Sequence, residues 1–129
     1  SEGDKVIERN GDVVILPDYK WTDTGDVSSL YLLVLFTDPR LRSIRDLTGA
    51  DLPLLIAASD AINRILSQRF RLDGRSVAVF FHYPPTYYRL HLHVVNISGT
   101  GGDAAGIAAG QVHFLDDVID HLRADGDYY

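Results

Sequence analysis

Residues 77–97 read VAVFFHYPPTYYRLHLHVVNI, and this stretch decides the fold. It contains two apolar runs, residues 77–82 and residues 90–97, whose content of β-branched and aromatic side chains is typical of strands. The segment Tyr83-Pro84-Pro85 joins them. We therefore predict two β-strands connected through this proline-containing segment.

The second of these strands alternates polar and apolar side chains. Successive side chains of a strand point to opposite faces. Arg89, His91 and His93 therefore lie on one face, and Leu90, Leu92 and Val94 lie on the other. We expect the apolar face to pack on a core. The polar face presents a cation and two imidazoles in a row.

Outside this stretch the chain predicts three more strands and two helices. Asn10-Gly11-Asp12 between apolar runs is a strong hairpin signal, and a nearly all-apolar run at residues 30–36 favours a central strand. A long amphipathic helix is predicted to be capped by Thr48 and stopped by Asp73-Gly74, and a second covers residues 112–123. The other predicted strands are residues 5–9 and 13–17, and the predicted buried helix positions are Leu52, Leu55, Ile56, Ile62, Leu66, Phe114, Leu115, Val118, Ile119 and Leu122.

Antiparallel strands with two inserted helices indicate an α+β domain. A length of 129 residues with 46% hydrophobic content suits one domain with its own core. The small-residue stretch at residues 98–110 is predicted to be a linker or lid, and it lacks the lysine pattern of a P-loop.

Composition excludes several classes of site. Cysteine is absent, which excludes disulfides, thiolate metal sites and a cysteine nucleophile. No apolar run is long enough for a membrane helix and no leader opens the chain, so we predict no membrane partner. Methionine is also absent and the first residue is Ser1, so we expect the chain to be a piece of a longer protein.

Charge is unevenly distributed along the chain. Residues 1–38 carry eight acids and three bases, residues 39–102 four acids and eight bases, and residues 103–129 six acids and one base, within a formal net charge of −6. The acidic total argues against a general nucleic-acid coat. The basic centre is compatible with a small anionic ligand held in one cleft.

Three interpretations fit the histidines at positions 82, 91 and 93. In the first, they are chance residues of a half-exposed strand. In the second, they bind zinc or iron, with His82 as the third metal ligand. In the third, one of them is the nucleophile of a phosphoryl or nucleotidyl transfer. No Asp or Glu occurs between Gly74 and Gly102, which suits a phosphate ligand. Composition leaves the metal and transfer interpretations open.

A resemblance to a known family favours the transfer chemistry. The segment from Arg89 to Val95, RLHLHVV, resembles the histidine-triad (HIT) motif His-φ-His-φ-His-φ-φ, and HYPPTYYRLHLH at residues 82–93 resembles the active-site strand of the scavenger mRNA decapping enzymes. LPDYKW at residues 16–21 resembles their cap-binding segment, and RSIRDLTGADLPLL at residues 42–55 their helix start. The resemblance covers essentially the whole chain.

The resemblance implies that residues 1–129 form the C-terminal HIT catalytic domain of that family, with an antiparallel sheet, one long helix and one shorter helix. The family's N-terminal domain has no counterpart in this sequence. The implied activity is hydrolysis of the 7-methylguanosine cap on cap dinucleotides or short capped RNA, which releases 7-methylguanosine monophosphate through a nucleotidyl-histidine intermediate. The family also implies a homodimer without metal or other cofactor, in the cytoplasm and also in the nucleus.

Roles of single residues follow from matching positions to the family. His91 corresponds to the nucleophile and His93 to the third triad histidine, which orients the phosphate region. The implied substrate-binding residues are His82, Thr86 and Tyr87 along the phosphate channel, Lys20 on a phosphate, Asp18 and Tyr19 at the methylated base, and Glu2 at the base edge.

One position departs from the family pattern. Arg89 stands where the first triad histidine is expected; it can bind phosphate but cannot shuttle a proton near neutral pH. Two alternatives to full activity therefore stay open, a cap-binding protein with impaired catalysis and another nucleotide hydrolase of the HIT superfamily. His113 and His121 are predicted to be ordinary residues of the second helix.

Overall fold

A computed structural model describes residues 5–97 and 111–129. These residues form an antiparallel sheet with one long helix and one shorter helix, as predicted, but the sheet has six strands where the sequence indicated five. The predicted segment at residues 98–110 and Glu2 lie outside the described residues. The strands are β1 (Glu8–Arg9), β2 (Val13–Pro17), β3 (Tyr31–Phe36), β4 (Val77–His82), β5 (His91–Asn96) and β6 (Val112–Phe114), and the helices are α1 (Leu52–Phe70) and α2 (Leu115–Ala124).

The strand order in the sheet is β1-β2-β3-β5-β4-β6. The predicted hairpin joins β1 to β2, and its turn is held by the Asn10 side chain, which accepts hydrogen bonds from the backbone of Asp12 and Val13 at 2.8 and 3.0 Å. β1 is shorter than predicted because only Glu8 and Arg9 have ladder partners on β2. β5 lies between β3 and β4, so its residues are flanked on both sides.

Both ends of α1 differ from the prediction. Thr48 forms a capping box with Asp51, but this box caps a 3₁₀ turn at Gly49–Asp51, and α1 begins after it with a proline in its first turn. The helix ends before Asp73-Gly74, because Arg71 adopts a left-handed conformation with φ of 55° and its N–H bonds back to the carbonyl of Leu66. A left-handed residue of this kind is a common helix terminator.

The buried stripe of α1 runs through Leu55, Ala58, Ala61, Ile62, Ile65 and Leu66. Leu52 is half-buried, and Ile56 is exposed, contrary to prediction, because it lies about 100° around the helix from Leu55. Phe114 is also exposed and belongs to β6, since the three residues before α2 pair with β4 instead of continuing the helix.

The apolar face of β5 lies in the core, as predicted. Leu92 and Val94 are fully buried, together with side chains of β3 and α1 such as Val34 and Leu55. This apolar face of the sheet packs in the core, and the histidines of β5 lie on the opposite face. Among the described residues, no helix combines the length and the apolar character that crossing a membrane requires.

Candidate functional site

Three histidines meet where β4 and β5 pair. The register places Phe80 of β4 opposite His93 of β5, and the ring centroid of His93 lies 4.5 Å from that of His82 and 5.1 Å from that of His91. The structure therefore brings these three predicted residues into one cluster, which we call the histidine cluster.

His93 is buried inside this cluster, with 6% of its surface exposed. The ring of Phe80 stacks on it at 5.3 Å and the ring of Tyr31 meets it edge-on at 5.8 Å. The polar face predicted for this strand is therefore not exposed at His93, because aromatic neighbours cover the ring. Burial, aided by His82, His91 and Lys20, lowers the pKa of His93 to about 3, so its ring is neutral at physiological pH.

His82 is half-buried at the end of β4. Burial lowers its pKa from the usual value, and the nearby charges of Lys20 and His91 lower it further. The cluster thus contains neutral imidazoles beside a cationic side chain. Such a surrounding favours an anion, because the N–H groups of neutral rings can donate to it while the ammonium supplies the opposite charge.

His91 is half-buried, and its backbone neighbourhood determines its tautomer. The Nδ1 atom lies 2.6 Å from the carbonyl oxygen of Arg89. A carbonyl can only accept a hydrogen bond, so Nδ1 carries the hydrogen and Nε2 of the neutral ring has a free lone pair. The Nε2 atom of His91 can therefore act as a nucleophile.

Arg89 precedes β5 in a bend and does not continue the row of the strand. Its Nε donates to the carbonyl oxygen of Phe36 at the end of β3, at 3.2 Å. The contact that Arg89 makes to His91 comes from its backbone carbonyl. The group that holds the His91 tautomer is thus a backbone atom of residue 89 and not its side chain.

Lys20, Asp18 and Tyr19 lie in the loop after β2. Lys20 Nζ donates to the Tyr31 hydroxyl at 3.5 Å. Burial by itself would lower the pKa of Lys20, but the Tyr31 hydroxyl and the Asp18 carboxylate outweigh burial and raise it, so the ammonium is charged. Asp18 is buried and its Oδ1 accepts from the Lys20 backbone at 2.9 Å, which shapes the loop.

The ring of Tyr19 is 85% exposed, so a planar ligand could stack on it. Asp18 and Tyr19 line a surface cavity of about 620 Å³, which also contacts Trp21 and Phe70. Lys20 does not line this cavity. Its ammonium group instead contacts the Tyr31 hydroxyl, which in turn contacts His93 of the histidine cluster. The loop therefore joins a place for a planar group to a place for an anion.

The segment between β4 and β5 places Tyr87 near the cluster, with its ring 6.1 Å from that of His91. Thr86 is exposed in the same segment. His113 lies on β6 opposite Phe81, which corrects the prediction that it belongs to the second helix. His121 lies on α2 as predicted, where its ring stacks on Tyr128 at 4.3 Å.

The metal interpretation finds no support in the part of the chain that is described. Within residues 5–97 and 111–129, no three His, Cys, Asp or Glu side chains are arranged to hold a metal ion. The histidine rings contact one another instead, and His91 uses Nδ1 on a carbonyl.

Sequence reasoning missed Tyr31. Its position in the apolar run at residues 30–36 suggests a core residue, and it is in fact 5% exposed. Its hydroxyl, however, lies 3.0 Å from Nδ1 of His93. The one available signal was a hydroxyl group in a run that is otherwise aliphatic and phenyl, because a buried tyrosine usually finds a hydrogen-bond partner.

Comparisons with known proteins identify the family of this chain. The family described as "Scavenger mRNA decapping enzyme C-term binding" matches residues 1–105. The chain belongs to this family. It is 34% identical over 133 aligned residues to the m7GpppX diphosphatase of Homo sapiens and to that of Ascaris suum. All of this chain is aligned in both cases, but it spans only 38% and 43% of the length of those relatives.

Solved structures show the fold. A crystal structure of the aprataxin ortholog Hnt3 in complex with DNA superposes with a TM-score of 0.60 at 19% identity, over 92% of this chain and 68% of that one. A HIT family hydrolase from Legionella pneumophila gives a TM-score of 0.59 at 18% identity, over 71% of this chain and 80% of that one. This member of the scavenger decapping family therefore has the HIT fold, as the resemblance implied.

Proposed function

We propose that this chain hydrolyses the 7-methylguanosine cap of cap dinucleotides and short capped RNA, and that it releases 7-methylguanosine monophosphate. The observation that carries the proposal is the hydrogen bond from His91 Nδ1 to the Arg89 carbonyl, because it leaves Nε2 as a nucleophile. Family membership and relatives named m7GpppX diphosphatase support the choice of substrate.

In the proposed first step, Nε2 of His91 attacks the phosphorus that bears 7-methylguanosine. The N–P bond forms as the P–O bond to the rest of the cap breaks, and the departing nucleoside diphosphate keeps the electron pair. The ring becomes cationic, and the Arg89 carbonyl that accepts the Nδ1–H stabilises this charge. Water then attacks phosphorus and releases a proton, the P–N bond breaks, and Nε2 regains its lone pair.

Other residues of the site bind the substrate in this proposal. Lys20, His82 and His93 surround the phosphates, with Arg89, Thr86 and Tyr87 at the mouth of the channel. Tyr19 stacks on the cationic methylated base, for which an exposed aromatic ring is suited, and Asp18 complements its charge. Glu2 at the base edge stays a prediction, as do the homodimer, the location in cytoplasm and nucleus, and the identity of residues 1–129 as a C-terminal catalytic domain.

The test is incubation of the chain with a methylated cap dinucleotide and chromatographic detection of 7-methylguanosine monophosphate. His91→Ala should lower the rate by about a thousandfold or more, since it removes the nucleophile. His121→Ala is the matched control, because His121 lies on α2 and contacts Tyr128 and Tyr129. An alkaline quench of the wild type should preserve a nucleotidyl adduct, which intact mass detects and His91→Ala lacks.

Each contrary result would overturn a different part of the proposal. Equal rates for wild type and His91→Ala would exclude His91 as the nucleophile. Tight binding of the cap without product would favour a cap-binding protein. Equal turnover of an unmethylated dinucleotide would favour another HIT nucleotide hydrolase. Loss of activity with a chelator and its return with zinc would overturn the metal-independent mechanism.

A further inference from the structure

Tyr31 connects two groups of the site that come from different parts of the chain. Its hydroxyl oxygen lies 3.5 Å from Lys20 Nζ in the loop after β2 and 3.0 Å from Nδ1 of His93 on β5. Tyr31 and His93 are 95% and 94% buried, and they are 62 positions apart in the sequence. The contact exists because β3 and β5 pair, with Tyr31 opposite Val95 and Leu33 opposite His93.

The hydrogen atoms in this chain of contacts can be assigned from chemistry. An ammonium group can only donate, so the Tyr31 oxygen accepts from Lys20. Burial raises the pKa of Tyr31, so the phenol keeps its own hydrogen at neutral pH. Directed at Nδ1 of His93, which lies 3.0 Å from the hydroxyl oxygen, this hydrogen makes Nδ1 the acceptor. The neutral ring of His93 then carries its hydrogen on Nε2.

Nε2 of His93 is a buried atom without a hydrogen-bond partner among residues 5–97 and 111–129. A buried N–H without an acceptor is costly, and the rest of its surrounding is cationic or neutral, with His82, His91 and Lys20 nearby. A phosphate oxygen would satisfy it. The opposite tautomer would instead present a lone pair to the phosphate and repel it.

We propose that Tyr31 is a positioning residue whose hydroxyl holds His93 in the Nε2–H tautomer and holds Lys20 beside it, so that both donate to the phosphates of the substrate. His91 and His93 then have opposite tautomers on one strand, set by a carbonyl and a hydroxyl respectively. One ring offers a lone pair for attack and the other an N–H for binding. The part that concerns phosphate rests on the proposed function, whereas the tautomer does not.

The tautomer is tested by NMR of the chain labelled with ¹⁵N-histidine, since the two ring nitrogens of each tautomer differ strongly in chemical shift. In the wild type, His93 should carry its hydrogen on Nε2. Tyr31→Phe keeps the ring and removes the hydroxyl, and it should move His93 toward a mixture of tautomers. Finding the hydrogen on Nδ1 in the wild type would overturn the proposal whether or not the variant folds.

Tyr129→Phe is a matched control, because the Tyr129 hydroxyl lies 2.8 Å from Nδ1 of His121 on α2. It removes the same kind of hydrogen bond at a distance from the histidine cluster. It should change the spectrum of His121 and leave that of His93 unchanged. A change at His93 in this variant would show that the effect of Tyr31→Phe is not specific.

Phosphate binding is tested separately with inorganic pyrophosphate by calorimetric titration, which needs no turnover. Tyr31→Phe should weaken binding about tenfold, which corresponds to about 1.4 kcal/mol, and Tyr129→Phe should not. With a cap dinucleotide, the value of kcat/KM should fall by at least that factor. If Tyr31→Phe changes neither the tautomer of His93 nor the affinity for pyrophosphate, Tyr31 is only a packing residue and the proposal is wrong. If both change but the wild type does not turn over the cap dinucleotide, only the cap-hydrolase function is refuted.

Discussion

At the scale of single residues, the site depends on how two histidines two positions apart are hydrogen-bonded. His91 is half-buried and donates to a backbone carbonyl, whereas His93 is buried and meets a phenol hydroxyl. The same residue type thus offers a lone pair in one case and an N–H in the other. This difference comes from the partners, because the two rings have the same chemistry in isolation.

The backbone origin of the His91 contact leads to a prediction for Arg89. In Arg89→His and Arg89→Ala, His91 should keep its hydrogen on Nδ1, because the carbonyl at position 89 is present in every variant. The measurement is the ¹⁵N spectrum of labelled histidine. A hydrogen on Nε2 of His91 in either variant would show that the arginine side chain, through its bond to Phe36, is needed to place the carbonyl.

If the spectrum is unchanged, the two variants isolate what the side chain contributes. Any change in the rate of cap hydrolysis then comes from the side chain at position 89 and not from the tautomer of the proposed nucleophile. A gain of activity in Arg89→His with an unchanged His91 would mean that the first triad position acts on the substrate itself.

At the scale of elements, α1 ends at a residue in the left-handed conformation, Arg71. Arg71 has φ of 55° without the steric freedom of glycine. We expect Arg71→Gly to raise the free energy of unfolding by about 0.5–1 kcal/mol, because the strain of a left-handed arginine exceeds the entropy that glycine gains in the unfolded chain. Urea denaturation at neutral pH measures it.

Arg69→Gly is the control for this change, since it removes the same charge two residues earlier. Arg69 lies inside α1, where glycine should lower stability by up to about 1 kcal/mol. The two variants should therefore have shifts of opposite sign. Shifts of the same sign would indicate that loss of the arginine charge, and not backbone conformation, sets the response.

The element that matters most for the site is β5. It lies between β3 and β4, so His93 has Leu33 on one side and Phe80 on the other. A strand at the edge of the sheet would leave His93 open to water. The central position instead buries the ring and lowers its pKa, and it brings Tyr31 within hydrogen-bond distance.

At the scale of the whole molecule, the buried neutral histidine makes stability depend on pH. The pKa of His93 is about 3 in the folded state against a usual value of 6.5. Between these values the unfolded chain binds more protons than the folded protein does. Titration of His93 therefore leaves the free energy of unfolding unchanged above pH 6.5 and lowers it as the pH falls below that value. From pH 7 to pH 5 we expect it to cost about 2 kcal/mol of the free energy of unfolding.

Urea denaturation of wild type and His93→Gln at both pH values isolates this effect, because the variant retains the carboxylates and His82. The wild type should lose about 2 kcal/mol more than the variant on acidification. NMR titration gives a second measurement in the wild type alone, in which the ring signals of His93 should not shift between pH 8 and pH 5. A midpoint near 6.5 would contradict the burial argument.

The sequence by itself determined the local structure. Alternating polarity at residues 91–94 determined which face of β5 is apolar, and turn chemistry determined the hairpin, because period and turn conformation depend on neighbours in the chain. β2 and β4 have the predicted bounds. The helix ends were less well predicted, since a 3₁₀ turn and a left-handed arginine terminate α1 differently from the expected signals.

Only the tertiary structure decided which strands are neighbours and which side chains therefore meet. Strand order depends on pairing between residues far apart in the chain, and no local period encodes it. The contact of Tyr31 with His93, the burial of His93 and the reach of Lys20 all follow from placing β5 beside β3. The histidines could be found in the sequence, but their protonation and tautomers are properties of the neighbours that the sheet brings to them.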